Sequence, residues 1–136
     1  MSKLEDLYQT TLLAQAQRTG EYPPVADATH RVKKTNPLCG DRIELTVSVE
    51  DGRIALVGFK ARGCAISLAA ATSLCDELKG AKVADAQKIT EDYLAMLRDG
   101  GPMDRPRLHA FDIVREFPSR VRCATLAFEG LDELLR

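Results

Sequence analysis

Ile43-Glu44-Leu45-Thr46-Val47-Ser48-Val49, then Glu50-Asp51-Gly52, then Arg53-Ile54-Ala55-Leu56-Val57-Gly58-Phe59-Lys60-Ala61 is the stretch that decides the fold. Ile43, Leu45, Val47 and Val49 alternate with Arg42, Glu44, Thr46 and Ser48. Successive side chains of a strand point to opposite faces, so the alternation predicts a half-buried strand. Asp51-Gly52 is a hairpin turn signal, and Arg53 to Ala61 returns as the partner strand. Arg62-Gly63 closes it. From Cys64 the period changes: Ile66, Ala69, Ala70, Leu74 and Leu78 recur at helical spacing as far as Lys79-Gly80. The Ala-rich run Ala65 to Ala71 suits close packing of that helix on the sheet.

On the N-terminal side, Ser2-Lys3-Leu4-Glu5 fits a capping box. Leu4, Leu7, Tyr8, Leu12 and Ala16 then mark an amphipathic helix to about Arg18, ended by Gly20 and Pro23-Pro24. Glu21 to Lys34 reads as polar and irregular, with a short strand around Val32. On the C-terminal side a helix is expected from Val83 to Arg98, with Ala86, Ile89, Tyr93, Met96 and Leu97 inward. Gly100-Gly101-Pro102 breaks it, Arg105 to Glu116 is a short helix or loop, and Pro118-Ser119 opens a last helix. There is no internal repeat. The order predicts an α+β fold, a small antiparallel sheet of about three strands packed against several helices. A chain of 136 residues, 45% apolar, fits a single domain spanning 1–136.

A formal net charge of −1 gives no reason to expect nucleic acid or an anionic membrane as partner. No apolar run approaches the roughly 20 residues that span a bilayer. The start, Met1-Ser2-Lys3-Leu4-Glu5-Asp6, is charged and lacks an apolar signal core, so a cytoplasmic location is expected. In a reducing compartment the four cysteines read as metal-binding or reactive thiols rather than disulfides.

Cys39, Asp41, Cys64 and Cys123 form the candidate site. Three thiols and one carboxylate make a soft but imperfect cage, suited to zinc or an iron–sulfur cluster. No C-x-x-C pair is present, so the ligands must converge from distant parts of the fold. Gly40 permits a turn that aims Cys39 and Asp41 at one point. Cys64 falls where a strand meets a helix N-terminus, whose dipole and free amides favour thiolate. Cys123 is expected in the first turn of the last helix, with Arg120 and Arg122 favouring its thiolate too. Cys75 lies 11 positions after Cys64 on one helix, roughly 16 Å along it at 1.5 Å per residue. It cannot share an ion with Cys64 and reads as a packing residue. His30 and His109 read as surface or loop histidines, and Arg42, Lys60, Arg62 and Arg122 as solvated charges near the site.

Asn36-Pro37-Leu38-Cys39-Gly40-Asp41, Phe59-Lys60-Ala61-Arg62-Gly63-Cys64-Ala65-Ile66-Ser67, Lys79-Gly80 and Arg120-Val121-Arg122-Cys123-Ala124-Thr125-Leu126 resemble the IscU/NifU N-terminal family of iron–sulfur cluster assembly proteins. The long segment Ala81 to Pro118, and Arg122 where IscU-type scaffolds carry His, resemble its SufU branch. That resemblance implies an IscU/SufU-like fold and zinc held by Cys39, Asp41, Cys64 and Cys123. It implies persulfide sulfur accepted at Cys39 from a SufS-type, pyridoxal-phosphate cysteine desulfurase, the chain being a sulfurtransferase-like acceptor rather than a stand-alone enzyme. IscU-like members instead build a [2Fe–2S] cluster on the equivalent ligands and pass it to downstream apo iron–sulfur proteins. The family's His/Asn-Pro-rich motif after the first helix is replaced here by Ala14 to Pro24.

Three functions therefore stand side by side: a zinc-dependent sulfur acceptor, a scaffold for a labile [2Fe–2S] cluster, and an inert zinc-stabilised interaction module. A zinc hydrolase is disfavoured, because four protein ligands leave no open position for water. The segment 81–118 reads equally as a docking surface or as added packing.

Overall fold

The computed structural model describes residues 10–37 and 40–135. Helix α1 (Thr10–Gln17) and a 3-10 turn (Thr19–Glu21) precede three strands. These are β1 (His30–Asn36), β2 (Asp41–Glu50) and β3 (Arg53–Arg62), antiparallel and in the order β1-β2-β3. Then come α2 (Ala65–Leu78), α3 (Val83–Asp99), the short α4 (Pro106–His109), a 3-10 segment (Ala110–Glu116) and α5 (Pro118–Leu134). This is the expected α+β arrangement of a small antiparallel sheet and several helices. The capping box at Ser2 and the apolar positions Leu4, Leu7 and Tyr8 lie outside the described residues.

The hairpin forms as the alternation requires. Asp51 and Gly52 both take positive φ, 51° and 74°, the turn geometry that matches the twist of the flanking strands. Leu45, Val47 and Phe59 are buried on the inner face, where α2 packs on β3 and α5 packs on β1 and β2. One expectation fails on the outer face. Thr46 and Ser48, read as the polar side of a half-buried strand, are also buried. The segment Tyr22 to Val25 straps over that end of the sheet. The Phe59 amide donates to the Tyr22 carbonyl at 3.0 Å and the Val25 amide donates to Thr46 Oγ1 at 2.9 Å. Gly58 makes the strap feasible, because a Cβ there would lie 1.9 Å from the Pro23 carbonyl oxygen.

Strand β1 is a full seven residues instead of a short stretch around Val32. Its inward positions are Val32 and Lys34, and both stems lie 3.2 Å from where a Cβ on Gly130 would sit. Lys34 carries its ammonium out to Glu133 on α5 at 3.0 Å. A lysine that buries its stem and exposes its charge hides a core-facing position from any hydropathy pattern.

Helix α2 is buried almost all round, including Thr72, Ser73 and Cys75, so it is the centre of the molecule. The segment 81–118 is built into this core. Ala86, Ile89, Tyr93, Met96 and Leu97 are buried as their spacing predicts. The Tyr93 ring stacks on Phe128 of α5 with centroids 3.7 Å apart, meets Phe111 edge-on at 5.9 Å, and donates its hydroxyl to the Ala124 carbonyl at 2.8 Å. On this face the segment is a packing element.

At the end of α2 far from Cys64, Asp76 and Glu77 gather cations from both flanks. Asp76 accepts from Arg18 at 2.7 and 2.9 Å, from the Tyr22 hydroxyl at 2.5 Å and from Gln15 at 2.9 Å. Glu77 accepts from Arg105 and Arg107, each at 2.9 Å. The replaced stretch Ala14 to Pro24 is thus tied to α2 by its own polar network.

Candidate metal centre

Asp41 opens β2, Cys64 ends the loop between β3 and α2, and Cys123 sits on α5. Their ligand atoms all lie within 4.8 Å of one another. Asp41 is 5% and Cys123 2% exposed, and Cys64 is half-buried, so the cluster has a dry floor and one accessible side. Donor atoms bound to a single ion at about 2.3 Å stand roughly 4 Å apart. Two thiols and a carboxylate at this spacing fit a borderline-soft ion with little rearrangement. Cys39 lies outside the described residues. Of the flanking chain, Gly40 takes φ +75° and donates its amide to the Asn36 carbonyl at 2.8 Å, the left-handed turn its sequence position calls for.

The loop Arg62-Gly63-Cys64 is shaped around Asp41. A Cβ on Gly63 would stand 2.8 Å from Asp41 Cγ and Oδ1, so a side chain there would drive the carboxylate out of its seat. Ser67, one helical turn after Cys64, donates its hydroxyl to Asp41 Oδ2 at 2.5 Å. The same hydroxyl is 3.7 Å from Cys64 Sγ, which is 3.9 Å from Asp41 Oδ2.

The two neighbouring thiols titrate together, and Cys64 is the one favoured as thiolate. The Cys64 thiol is held well below its ordinary range, first because Cys123 donates to it, and then because the Ser67 amide and hydroxyl favour its thiolate. Burial and the Asp41 charge act against this and lose. Cys123 is pushed up by its role as donor to Cys64 and by burial. The amide at the start of α2 thus contributes at Cys64 as its position suggests, but the neighbouring Cys123 weighs more, and burial and Cys64 hold Cys123 as the thiol rather than the expected thiolate. Cys123 is the sixth residue of α5 rather than in its first turn. Arg122 turns away to pair with Glu129 at 2.9 Å, so it lends Cys123 no charge.

The remaining candidates fall elsewhere. Arg42, Lys60 and Arg62 line a groove of about 500 Å³ on the outer face of the sheet with Lys33 and Glu44, away from the inward-facing thiols. His30 lies on β1 against Thr29, and His109 ends α4 exposed to solvent. Cys75 is fully buried on α2, and burial pushes its thiol up. Ser67 and the space left by Gly63 are what a reading for metal ligands passes over. The available signal was the three-residue step from Cys64, which puts Ser67 above it on one helix face.

Residues 14–114 match the family model described as NifU-like N terminal domain. The chain belongs to this family. It is 28% identical over its whole length to the iron-sulfur cluster assembly scaffold protein IscU of Streptococcus pyogenes serotype M1, covering 87% of that protein. It is 32% identical to the zinc-dependent sulfurtransferase SufU of Bacillus subtilis strain 168 over 75% of this chain and 71% of that one. Among solved structures, FiSufU of Fervidobacterium islandicum AW-1 superposes with a TM-score of 0.90 at 22% identity, covering 97% of this chain and 98% of its own. A NifU-like N-terminal protein of Brucella abortus gives 0.90 at 20% identity over 99% of this chain and 96% of that one. At these identities the structures speak for the fold. The NifU-like N-terminal fold thus brings a strand start, a strand–helix junction and a distant helix to one point, which the wide spacing of the cysteines requires.

Proposed function

We propose that this chain, an iron–sulfur cluster assembly protein of the IscU/SufU/NifU type, acts as a zinc-dependent acceptor of persulfide sulfur. Cys39, Asp41, Cys64 and Cys123 would hold the zinc, and Cys39 would take the sulfur. The convergence of Asp41, Cys64 and Cys123 within 4.8 Å carries this reading, and the similarity to a zinc-dependent sulfurtransferase supports it. Zinc bound here would keep its thiols deprotonated and order the ligand loop.

The chain's own residues divide the work. Cys123 is sealed inside α5 and Cys64 is anchored at the start of α2, so neither can travel to a partner's thiol. Cys39, which lies between Leu38 and Gly40 in the Pro/Gly-containing stretch Asn36 to Asp41 of the sequence, is then the acceptor. Its thiolate attacks the outer sulfur of the partner's cysteine persulfide. The partner's cysteine leaves as thiolate, and Cys39 keeps the transferred sulfur as a persulfide. The donor is a SufS-type, pyridoxal-phosphate cysteine desulfurase, the recipients are downstream cluster-assembly or apo iron–sulfur proteins, and the setting is the cytoplasm. Among the described residues no helix is long and apolar enough to cross a membrane.

A second reading is favoured by the full-length similarity to an IscU scaffold. On it the same ligands carry a labile [2Fe–2S] cluster as cargo, with the harder carboxylate of Asp41 keeping it transferable. One experiment separates the two. The natively purified protein is assayed for zinc, iron and acid-labile sulfide, then added to a cysteine desulfurase with cysteine. About one zinc per chain, with desulfurase stimulation that Cys39→Ser abolishes, is the expected result. Stimulation that survives in Cys39→Ser would sink the acceptor assignment. Iron with labile sulfide and no stimulation would establish the scaffold.

A further inference from the structure

We infer that Ser67 is the positioning residue for Asp41, holding its carboxylate at the thiols and so setting how tightly the centre keeps its ion. The inference rests on the metal-centre reading above and extends it to a residue outside the ligand set. Ser67 is 8% exposed and lies in the first turn of α2, one turn from Cys64. Its hydroxyl carries one proton, and the 2.5 Å distance to Asp41 Oδ2 is that of a charge-assisted bond.

The second wall of the seat is backbone. Gly63 lies so close that any side chain there would meet the carboxylate at 2.8 Å. Gly63 does not take a positive φ, so the position tolerates an L side chain conformationally. The glycine is needed for space. Asp41 is therefore gripped from one side by a hydroxyl and confined on the other by a bare backbone. A carboxylate has two oxygens and several rotamers. Fixing one oxygen on Ser67 selects the rotamer that points at Cys64 and Cys123. Partners of this kind, hydrogen-bonded to metal ligands, change metal affinity by roughly 10- to 100-fold when removed.

The arrangement also answers how an acidic ligand can yield its place without leaving the site. If Asp41 gives up its bond to the ion, the bond to Ser67 keeps it parked 3.9 Å from Cys64 Sγ instead of free in solvent. Return is then a small motion.

The test uses the full chain with zinc and with Co²⁺. Zinc affinity is read by chelator competition, and the Co²⁺ spectrum reports sulfur and oxygen ligation separately. Ser67→Ala is expected to weaken zinc roughly 10- to 100-fold. It should shift the ligand-field bands while leaving the thiolate-to-cobalt charge-transfer band. Ser67→Thr, which keeps the hydroxyl, should restore both affinity and bands. Gly63→Ala, which attacks the same carboxylate from the other wall, should reproduce the Ser67→Ala spectrum, and it decides the matter if Ser67→Ala does not fold. Wild-type affinity and spectrum in Ser67→Ala would overturn the inference alone. Loss of the charge-transfer band as well would mean a general structural role, and would overturn it too. A wild-type protein that binds neither zinc nor Co²⁺ would bring down the metal-centre reading itself.

Discussion

Asp41 and Cys64 show how far a single residue's chemistry can be read along a chain. The turn glycine before Asp41 and the strand–helix junction at Cys64 both mark where a side chain can be aimed, and both hold in the structure. Cys123 shows the limit. Its neighbours Arg120 and Arg122 suggest a thiolate, but on a helix adjacent residues point in different directions. Arg122 goes to Glu129, and what matters to Cys123 is its own donation to Cys64, 59 positions earlier. Cys75 is the internal control. It is fully buried and away from the ligand cluster. Cys75→Ala should keep the zinc stoichiometry of the wild type and lower stability by about 1 kcal/mol, within the range of small core truncations. Metal analysis and thermal unfolding of the variant check both halves. A fall in bound zinc would contradict its assignment to packing.

At the scale of elements, the Asp76 network is what joins α1 and the 3-10 turn to α2. Burial alone would push the Asp76 carboxyl up, but hydrogen bonds from Arg18, Tyr22 and Gln15 overcome it and hold it at about 2, below the ordinary 3.8. A carboxyl lowered in the folded state stabilises the fold at any pH above its unfolded value. That contribution disappears as pH falls from about 4 toward 2. With the side chain only 7% exposed, the contribution is on the order of 2 kcal/mol. Denaturant unfolding of wild type and Asp76→Asn across this window is the check. The variant should be less stable at neutral pH, and the gap should narrow on acidification. A gap independent of pH would show that Asp76 is not ionised in the fold. None of these partners is announced by sequence, because Gln15, Arg18 and Tyr22 meet Asp76 across more than 50 positions. Strand β1 was half legible for a related reason. Val32 marks it, but Lys34 occupies an inward position that only the space over Gly130 makes tenable.

For the molecule as a whole, most of the core lies apart from the candidate metal centre. The buried side chains run from Leu12 through α2 to Phe128 and Leu131, and the Tyr93–Phe128 stack lies within that core. The ligand cluster sits at one end, where β2, α2 and α5 begin or cross. Chelating the ion should therefore lower the midpoint of thermal unfolding and leave a cooperative transition with near-native helical circular dichroism. A chelated protein with no cooperative transition would mean instead that the ion organises the core, as an inert zinc-stabilised module requires.

The sequence by itself determined most of the elements, the family and the candidate ligand set. Strand alternation, helical spacing and turn glycines act over a few residues, and short-range sterics and hydrogen bonding decide them. The NifU-like motifs are likewise local strings. Only the tertiary structure decided which groups meet: Ser67 and the bare backbone of Gly63 around Asp41, the approach of Cys64 to Cys123, the strap over Thr46, and the packing of 81–118 against α5. Each of these is a contact between segments far apart in the chain. Its strength depends on burial and on angstrom-scale distance, neither of which is carried by the order of residues along a strand or a helix.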